Sequence, residues 1–303
     1  MKRHSIGILN GVIAAASYGT NPLFALPLYK EGIGVNSVLF YRYFLAVLIY
    51  GLWLKFHKKA NLKLSKNEIL PLFILSMFFS LSSLTLFEAF KYIDAGIACT
   101  ILFIYPVMVA VIMWLFFKEK PAKEIIFSVI LVSGGIVLLY NGGTQSLNPK
   151  GVIIVLISAL LYALYIVCVK NMKVLHHIKT DKLSFYVMLF GLSVYIFNLK
   201  FCTELQILNK PLLWVFAVLL SLVPTVISLE TITIAIKLAG PVKTAILGAL
   251  EPITAIFFGV VFFNESLTIK IITGIILVLS GVFVVVLKNN KKIKSVKGIK
   301  ADN

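Results

Sequence analysis

The chain has 303 residues, of which 60% are hydrophobic and 14% are charged, and its formal net charge is +17. Soluble domains average about 45–50% apolar and about 25% charged residues, so this composition excludes a water-soluble globular protein. A nucleic-acid partner would need basic residues clustered on one surface, whereas here they are spread through the short stretches between apolar segments, and no such partner is expected.

Apolar segments of about 20 residues recur along nearly the whole chain, and each is long enough to cross about 30 Å of hydrocarbon as a helix. The predicted fold is therefore an all-α membrane protein with ten transmembrane helices. The predicted spans are residues 6–29, 36–54, 69–90, 95–117, 124–141, 151–169, 183–200, 212–236, 241–263 and 271–287.

The basic residues between these spans predict the orientation of the chain. If the amino terminus is cytoplasmic, 22 Lys and Arg residues lie in the loops and tail on that side, and 6 lie in the opposite loops. This bias follows the positive-inside rule, so both termini are expected to be cytoplasmic. The basic tail, residues 288–303, is predicted to be disordered and attracted to anionic membrane lipid.

An internal repeat divides the chain into two halves. Residues 91–140 align with residues 237–286 without a gap, with 11 identities over 50 positions. The informative identities are Pro106 with Pro252, Glu119 with Glu265, and Gly135 with Gly281. Five spans per half is an odd number, so the second half would enter the membrane from the opposite side, as in the inverted repeats of secondary transporters. The predicted domains are a first repeat (1–145), an inverted second repeat (146–287) and the tail (288–303).

Several short motifs resemble the EamA-type permeases of the drug/metabolite transporter superfamily. They are FFKE at 116–119, FFNE at 262–265, KLAGPVKTAILGALEP before and within the ninth span, and the glycine-bearing LVSGGIVLL and LVLSGVFVV of the fifth and tenth spans. The resemblance implies a ten-helix carrier of the bacterial inner membrane with a central cavity. It also implies alternating access, often in the outward direction, and it leaves the substrate open.

Three charges lie well inside predicted spans, away from the span ends, and have no counterpart in the other half: Arg42, Glu230 and Glu251. Each costs a few kcal/mol near the bilayer centre, so each needs a local reason. Glu251 is interpreted as a cavity carboxylate that binds a substrate ammonium or carries a proton; alternatively, it locks the kink at the following proline. Arg42 would bind a substrate carboxylate or neutralise Glu251, or it extends to the outer interface. Glu230 is a further cavity candidate.

Other candidates are uncharged. Tyr18, Tyr105 and Tyr162 lie deep in their spans and would form an aromatic cavity wall, or they pack in the core. Pro106 and Pro252 each leave a carbonyl without its intrahelical donor and are hinge candidates. Small residues that allow helices to approach closely are Gly135, Gly274 and Gly281.

Motifs for enzyme chemistry are missing from the sequence. All four histidines lie in loops or at the terminus, and neither HExxH nor GxSxG occurs. No catalytic residue, metal or cofactor is predicted.

The predicted function is a secondary-active permease for small polar or zwitterionic metabolites, with efflux of amino acids or related compounds as the first expectation. The alternatives are an importer and a channel-like pore, and proton coupling and oligomeric state stay open.

Overall fold

The computed structural model describes residues 2–89, 91–93, 98, 101–119, 123–139, 148–251, 253–254, 257–258, 269–270, 272–281 and 284. All regular secondary structure in this part of the chain is helical. Pro252, one of the two predicted hinges, and the basic tail lie outside the described residues.

The first half contains six described helices. They are α1 (Lys2–Tyr18), α2 (Asn21–Lys30), α3 (Val35–Phe56), α4 (Lys66–Ala89), α5 (Tyr105–Phe117) and α6 (Lys123–Leu139). The segment predicted as one span, 6–29, is two helices that meet at Gly19 and Thr20. Pro22 lies in the first turn of α2, where its missing N–H costs nothing but where it cannot continue the hydrogen-bond ladder of α1.

The second half begins with α7 (Pro149–Asn171), a single turn α8 (Lys173–His176) and α9 (Thr180–Asn198). A long span, Pro211–Ala239, follows. It is built from α10 (Pro211–Ser221), a π-helix (Leu222–Ile227) and α11 (Ser228–Ala239). The helices α12 (Pro241–Leu247) and α13 (Ile272–Gly281) complete the described part of this half.

Five described helices are long and apolar enough to cross a membrane. They are Val35–Phe56, Lys66–Ala89, Pro149–Asn171, Thr180–Asn198 and Pro211–Ala239. Shorter apolar helices occur at Tyr105–Phe117, Ile125–Gly135 and Ile272–Gly281. The structure therefore confirms that the described part of the chain is all-helical, with membrane-length apolar helices in both halves.

The largest helix contacts join one half to the other. The helix α1 packs along α11, α4 packs along α7, and α9 packs against both α3 and α4. Small residues allow this close approach: a Cβ added at Gly7 of α1 would lie 2.9 Å from Ala239 N. Because the two halves are interleaved in this way, a polar site at the centre of the bundle is shared between them.

Candidate functional site

A small cavity lies where α1, α5, α7, α11 and α12 meet. Its volume is about 10 Å³, which is room for about one water molecule. Its lining combines aromatic and acidic side chains with small residues: Gly11, Ala14, Ala15, Tyr18, Tyr105, Tyr162, Ser228, Ile232, Thr244, Gly248 and Glu251. The structure thus brings four predicted candidates, three tyrosines and Glu251, to one place between the halves.

The cavity lining includes a tyrosine wall, formed by Tyr18, Tyr105 and Tyr162. One hydrogen bond and one close approach to the backbone hold Tyr105 in this wall. The rings of Tyr105 and Tyr162 meet edge to face, with centroids 4.9 Å apart. Tyr105 Oη donates a hydrogen bond to Ala245 O at 3.0 Å. A Cβ at Gly248 would overlap Tyr105 Oη, so the glycine is what lets the phenol cross between halves and reach α12.

The Glu251 carboxylate faces the cavity without a protein partner among the residues that the structure describes. Its backbone lies against the end of α1, since a Cβ on Gly19 would fall 2.6 Å from Glu251 O. A carboxylate in an apolar bundle is costly unless it is paired or hydrogen-bonded. The arrangement therefore leaves a free acidic group for a ligand, a water molecule or a proton.

Arg42 is fully buried and binds the π-helix rather than Glu251. Its Nε donates to Thr225 Oγ1 at 2.6 Å, and its Nη2 donates to Pro224 O at 3.2 Å. Arg42 forms no ion pair with any carboxylate of the described residues. One interpretation of the sequence had the Arg42 side chain extending to the outer membrane interface. Its complete burial is inconsistent with that interpretation.

Tyr18 borders both charged groups. The Arg42 guanidinium carbon lies 5.6 Å from the centroid of the Tyr18 ring, which is within cation–π range. The same tyrosine lines the cavity together with Glu251. Tyr18 is therefore near both Arg42 and Glu251, which form no ion pair with each other.

Glu230, the third predicted charge, does not line the cavity. It belongs to a group of four residues, called here the Lys58 cluster: Tyr50, Lys58, Asp181 and Glu230. Tyr50 Oη donates to Glu230 Oε2 at 2.5 Å, and Lys58 Nζ lies 3.6 Å from Glu230 Oε1 and 3.5 Å from Asp181 Oδ2. The cluster ties α3 and the loop after it to α9 and α11, so it closes one end of the bundle.

At the opposite end of the described bundle, one glutamine makes several contacts between the halves. Gln206, in the loop after α9, accepts a hydrogen bond from the backbone N–H of Gly34 and donates to Gly32 O at 3.2 Å. The backbone carbonyl of Gln206 accepts a hydrogen bond from Tyr41 Oη at 3.0 Å. Nearby, Lys210 pairs with Glu31 at 2.6 Å. Both ends of the bundle are therefore held by contacts between the halves.

The remaining candidates are Pro106 and the glycines Gly135, Gly274 and Gly281. Pro106 lies in the first turn of α5, which begins at Tyr105, where proline is well tolerated; its role as a hinge stays a prediction. The three glycines lie at the crossing of α6 and α13. A Cβ at Gly135 would lie 2.8 Å from Gly274 O, and Ser128 Oγ donates to Gly281 O at 2.5 Å.

Sequence reasoning missed the π-helix and its link to Arg42. The only signal was the pair Pro224 and Thr225 in the middle of a predicted span. A proline there removes one backbone donor, and a threonine beside it offers a replacement hydroxyl. Which side chain would complete the arrangement was not visible, because Arg42 lies more than 180 positions away in the sequence.

Comparison with known proteins places the chain in one family. The model of the EamA-like transporter family matches residues 5–141 and again residues 149–287. The chain is 25% identical to the uncharacterized transporter YcbK of Bacillus subtilis, over 96% of this chain and 97% of that protein. It is 26% identical to an uncharacterized transporter of Synechocystis sp., over 70% of this chain and 64% of that protein.

The fold also matches a solved structure. A crystal structure with 16% sequence identity superposes with a TM-score of 0.79, covering 95% of this chain and 99% of the other. At this identity the match concerns the fold alone. It indicates that the interleaved helical bundle described above is an architecture that another chain of similar length also adopts.

Proposed function

Because the chain belongs to the EamA-like transporter family of the drug/metabolite superfamily, we propose that it is a secondary carrier that exports small polar metabolites by alternating access. The observation that carries this proposal is the cavity between the two halves, lined by three tyrosines and by Glu251, which has no ion-pair or hydrogen-bond partner among the described residues. A binding site between two repeats, near the membrane midplane, is characteristic of secondary transporters.

The proposed topology is ten spans in two inverted repeats, 1–145 and 146–287, with both termini and the tail in the cytoplasm. Two features support it: the family model matches the chain twice, and the basic residues fall mostly on one side under this topology. The bacterial relatives support a bacterial inner membrane. In this orientation the Lys58 cluster is the cytoplasmic closure and Gln206 the external one.

The proposed substrate is a zwitterion such as an amino acid. Glu251 would bind its ammonium group, Arg42 would bind its carboxylate, and Tyr18, Tyr105 and Tyr162 would enclose the rest. The support is that the Tyr18 ring lies 5.6 Å from the Arg42 guanidinium carbon and also lines the cavity together with Glu251. Proton coupling through Glu251 remains compatible with this arrangement, since the same carboxylate would carry either a proton or an ammonium partner.

In the described conformation this cavity is too small to hold a metabolite. A cavity of about 10 Å³ is far smaller than the roughly 300–1,000 Å³ of typical small-molecule sites. Binding a metabolite therefore requires helices to separate. Opening toward one side would break the Lys58 cluster, and opening toward the other would break the Gln206 contacts, which is the behaviour expected of alternating access.

The decisive experiment is counterflow. The purified protein is reconstituted into liposomes loaded with a mixture of the twenty unlabelled amino acids, and uptake of each labelled amino acid is measured. A carrier gives transient accumulation that depends on the internal substrate. Uptake without such trans-stimulation would indicate a channel, and no uptake of any amino acid would refute the proposed substrate class.

Topology has its own test. Lys118 and Asn264 occupy equivalent positions of the two halves at the offset of 146 residues. Single cysteines placed at these positions are expected to react with an impermeant maleimide from opposite sides of the membrane. Reaction of both from the same side would contradict the inverted repeat.

A further inference from the structure

The π-helix within Pro211–Ala239 has an identifiable local cause. Pro224 has no N–H, so the carbonyl of Leu220 loses its α-helical donor. The hydroxyl of Thr225 replaces that donor, with Thr225 Oγ1 donating to Leu220 O at 2.8 Å. Short π-helical turns within α-helices often mark functional positions. This one ends at Ile227, directly before Ser228, which lines the cavity.

Arg42 completes this broken turn from a different helix. The single proton of the Thr225 hydroxyl is used on Leu220 O, so its oxygen is free to accept from Arg42 Nε. Arg42 Nη2 takes the carbonyl of Pro224. Two of the three guanidinium nitrogens of Arg42, which belongs to α3, therefore bind the π-helix.

The third nitrogen, Nη1, has no hydrogen-bond partner within the described residues. Arg42 Nη1 is buried and forms no hydrogen bond within the described residues, and the same is true of Tyr43 Oη, whose ring lies 6.0 Å from the guanidinium carbon. A buried cationic donor without an acceptor is strongly unfavourable. An anionic group is the ligand that would satisfy both donors, and Tyr18 connects this position to the cavity.

We propose that Arg42 couples substrate binding to the bend of Pro211–Ala239. The carboxylate of the substrate binds Arg42 Nη1, while Nε and Nη2 hold Thr225 and Pro224, so that movement of the guanidinium with the substrate shifts the π-helix. This inference rests on the proposed function and assigns the carboxylate end of its substrate. Arg42 is in this scheme both a binding residue, through Nη1, and a positioning residue for the span.

The test separates binding from translocation. The Thr225→Val variant keeps the size of the side chain but removes the hydroxyl that joins Arg42 to Leu220, and Thr225→Ser is the matched control that keeps it. The probe is the amino acid that raises the melting temperature of the wild-type protein most. Thr225→Val is expected to bind it within about threefold of wild type, whereas its counterflow rate falls at least about tenfold, as expected for loss of a charge-assisted hydrogen bond.

A second variant guards against misfolding. Pro224→Ala restores a backbone N–H that can bond Leu220 O, so it is expected to fold, to bind the probe and to show similarly slowed counterflow. The coupling is overturned if both variants exchange the probe at the wild-type rate. It is also overturned if binding and counterflow fall in equal proportion, because that indicates a merely structural role. Failure of the wild-type protein to exchange any amino acid refutes the proposed function instead, and with it this inference.

Discussion

Glu230 and Glu251 are two acidic residues of the second half that end in opposite environments. Glu230 accepts a hydrogen bond from Tyr50 and lies beside Lys58, so its charge is compensated by a contact that also joins two helices. Glu251 lines the cavity and has no such partner among the described residues. Both acids are partly buried, so burial does not distinguish them; the lack of a protein partner among the described residues is what makes Glu251 the stronger candidate for a binding group.

The largest expected effect is on transport by Glu251→Gln. The amide keeps the size of the side chain and removes the negative charge that would hold a substrate ammonium. Loss of one member of a buried charged pair typically costs about 2–5 kcal/mol, so the counterflow rate is expected to fall by about 100-fold or more. The protein should still purify as a monodisperse sample with an unchanged melting temperature.

Glu230→Gln is the matched control for that variant. It removes the same charge from the Lys58 cluster, and it should lower stability while leaving measurable counterflow. The distinction between the two acids fails if Glu230→Gln abolishes counterflow and Glu251→Gln does not.

A second variant acts on the cavity and leaves the Lys58 cluster untouched. The Cβ of Gly248→Ala would overlap Tyr105 Oη, so the phenol must leave Ala245 O. Such overpacking typically costs about 1–3 kcal/mol, which thermal unfolding in detergent will show as a lower melting temperature. The control is Gly134→Ala, since a Cβ at Gly134 has no atom within 4 Å among the described residues. Equal melting temperatures would mean that the tyrosine wall adjusts freely.

Part of the candidate site could be predicted from the sequence. Tyr18, Tyr105 and Tyr162 were predicted as cavity candidates because they lie deep in their spans, and Glu251 because a charge in an apolar span needs a local reason. The structure places these four residues together. That physical argument depends only on the neighbouring sequence, so it needs no knowledge of tertiary contacts.

Partners across the bundle could not be predicted. Glu230 is separated from Tyr50 by 180 positions and Arg42 from Thr225 by 183, and nothing local distinguishes a charge that will find a partner from one that will not. The break between α1 and α2 was missed for a different reason. The turn-forming residues 19–22 occupy only four positions of a long apolar stretch, and hydropathy averaged over about 19 residues does not register so short an interruption. The number of spans rests on the same hydropathy pattern and stays a prediction.

A third variant, Tyr50→Phe, tests whether the Lys58 cluster stabilises the fold. It removes the hydrogen bond to Glu230, and hydrogen bonds to charged groups contribute about 1.5–3 kcal/mol. A lower melting temperature is therefore expected, with binding of the probe amino acid unchanged. The control is Tyr29→Phe, because the Tyr29 hydroxyl is buried without a partner in the described residues and its removal should cost nothing. Similar decreases in melting temperature in both variants would show that the hydrogen bond from Tyr50 to Glu230 does not stabilise the fold.

The smallest effect is expected for Lys58→Met. Lys58 is 38% exposed and its two ion pairs are 3.5 and 3.6 Å long, so water screens them, and exposed pairs of this kind contribute about 0.2–1 kcal/mol. The small decrease in melting temperature should disappear in high salt, where surface charges are screened. Lys173→Met, at an exposed lysine of α8, is the control. A loss as large as that of Tyr50→Phe, and insensitive to salt, would mean that the charge of Lys58 acts in a protected site, and that Glu230 resembles Glu251 more closely than its contacts indicate.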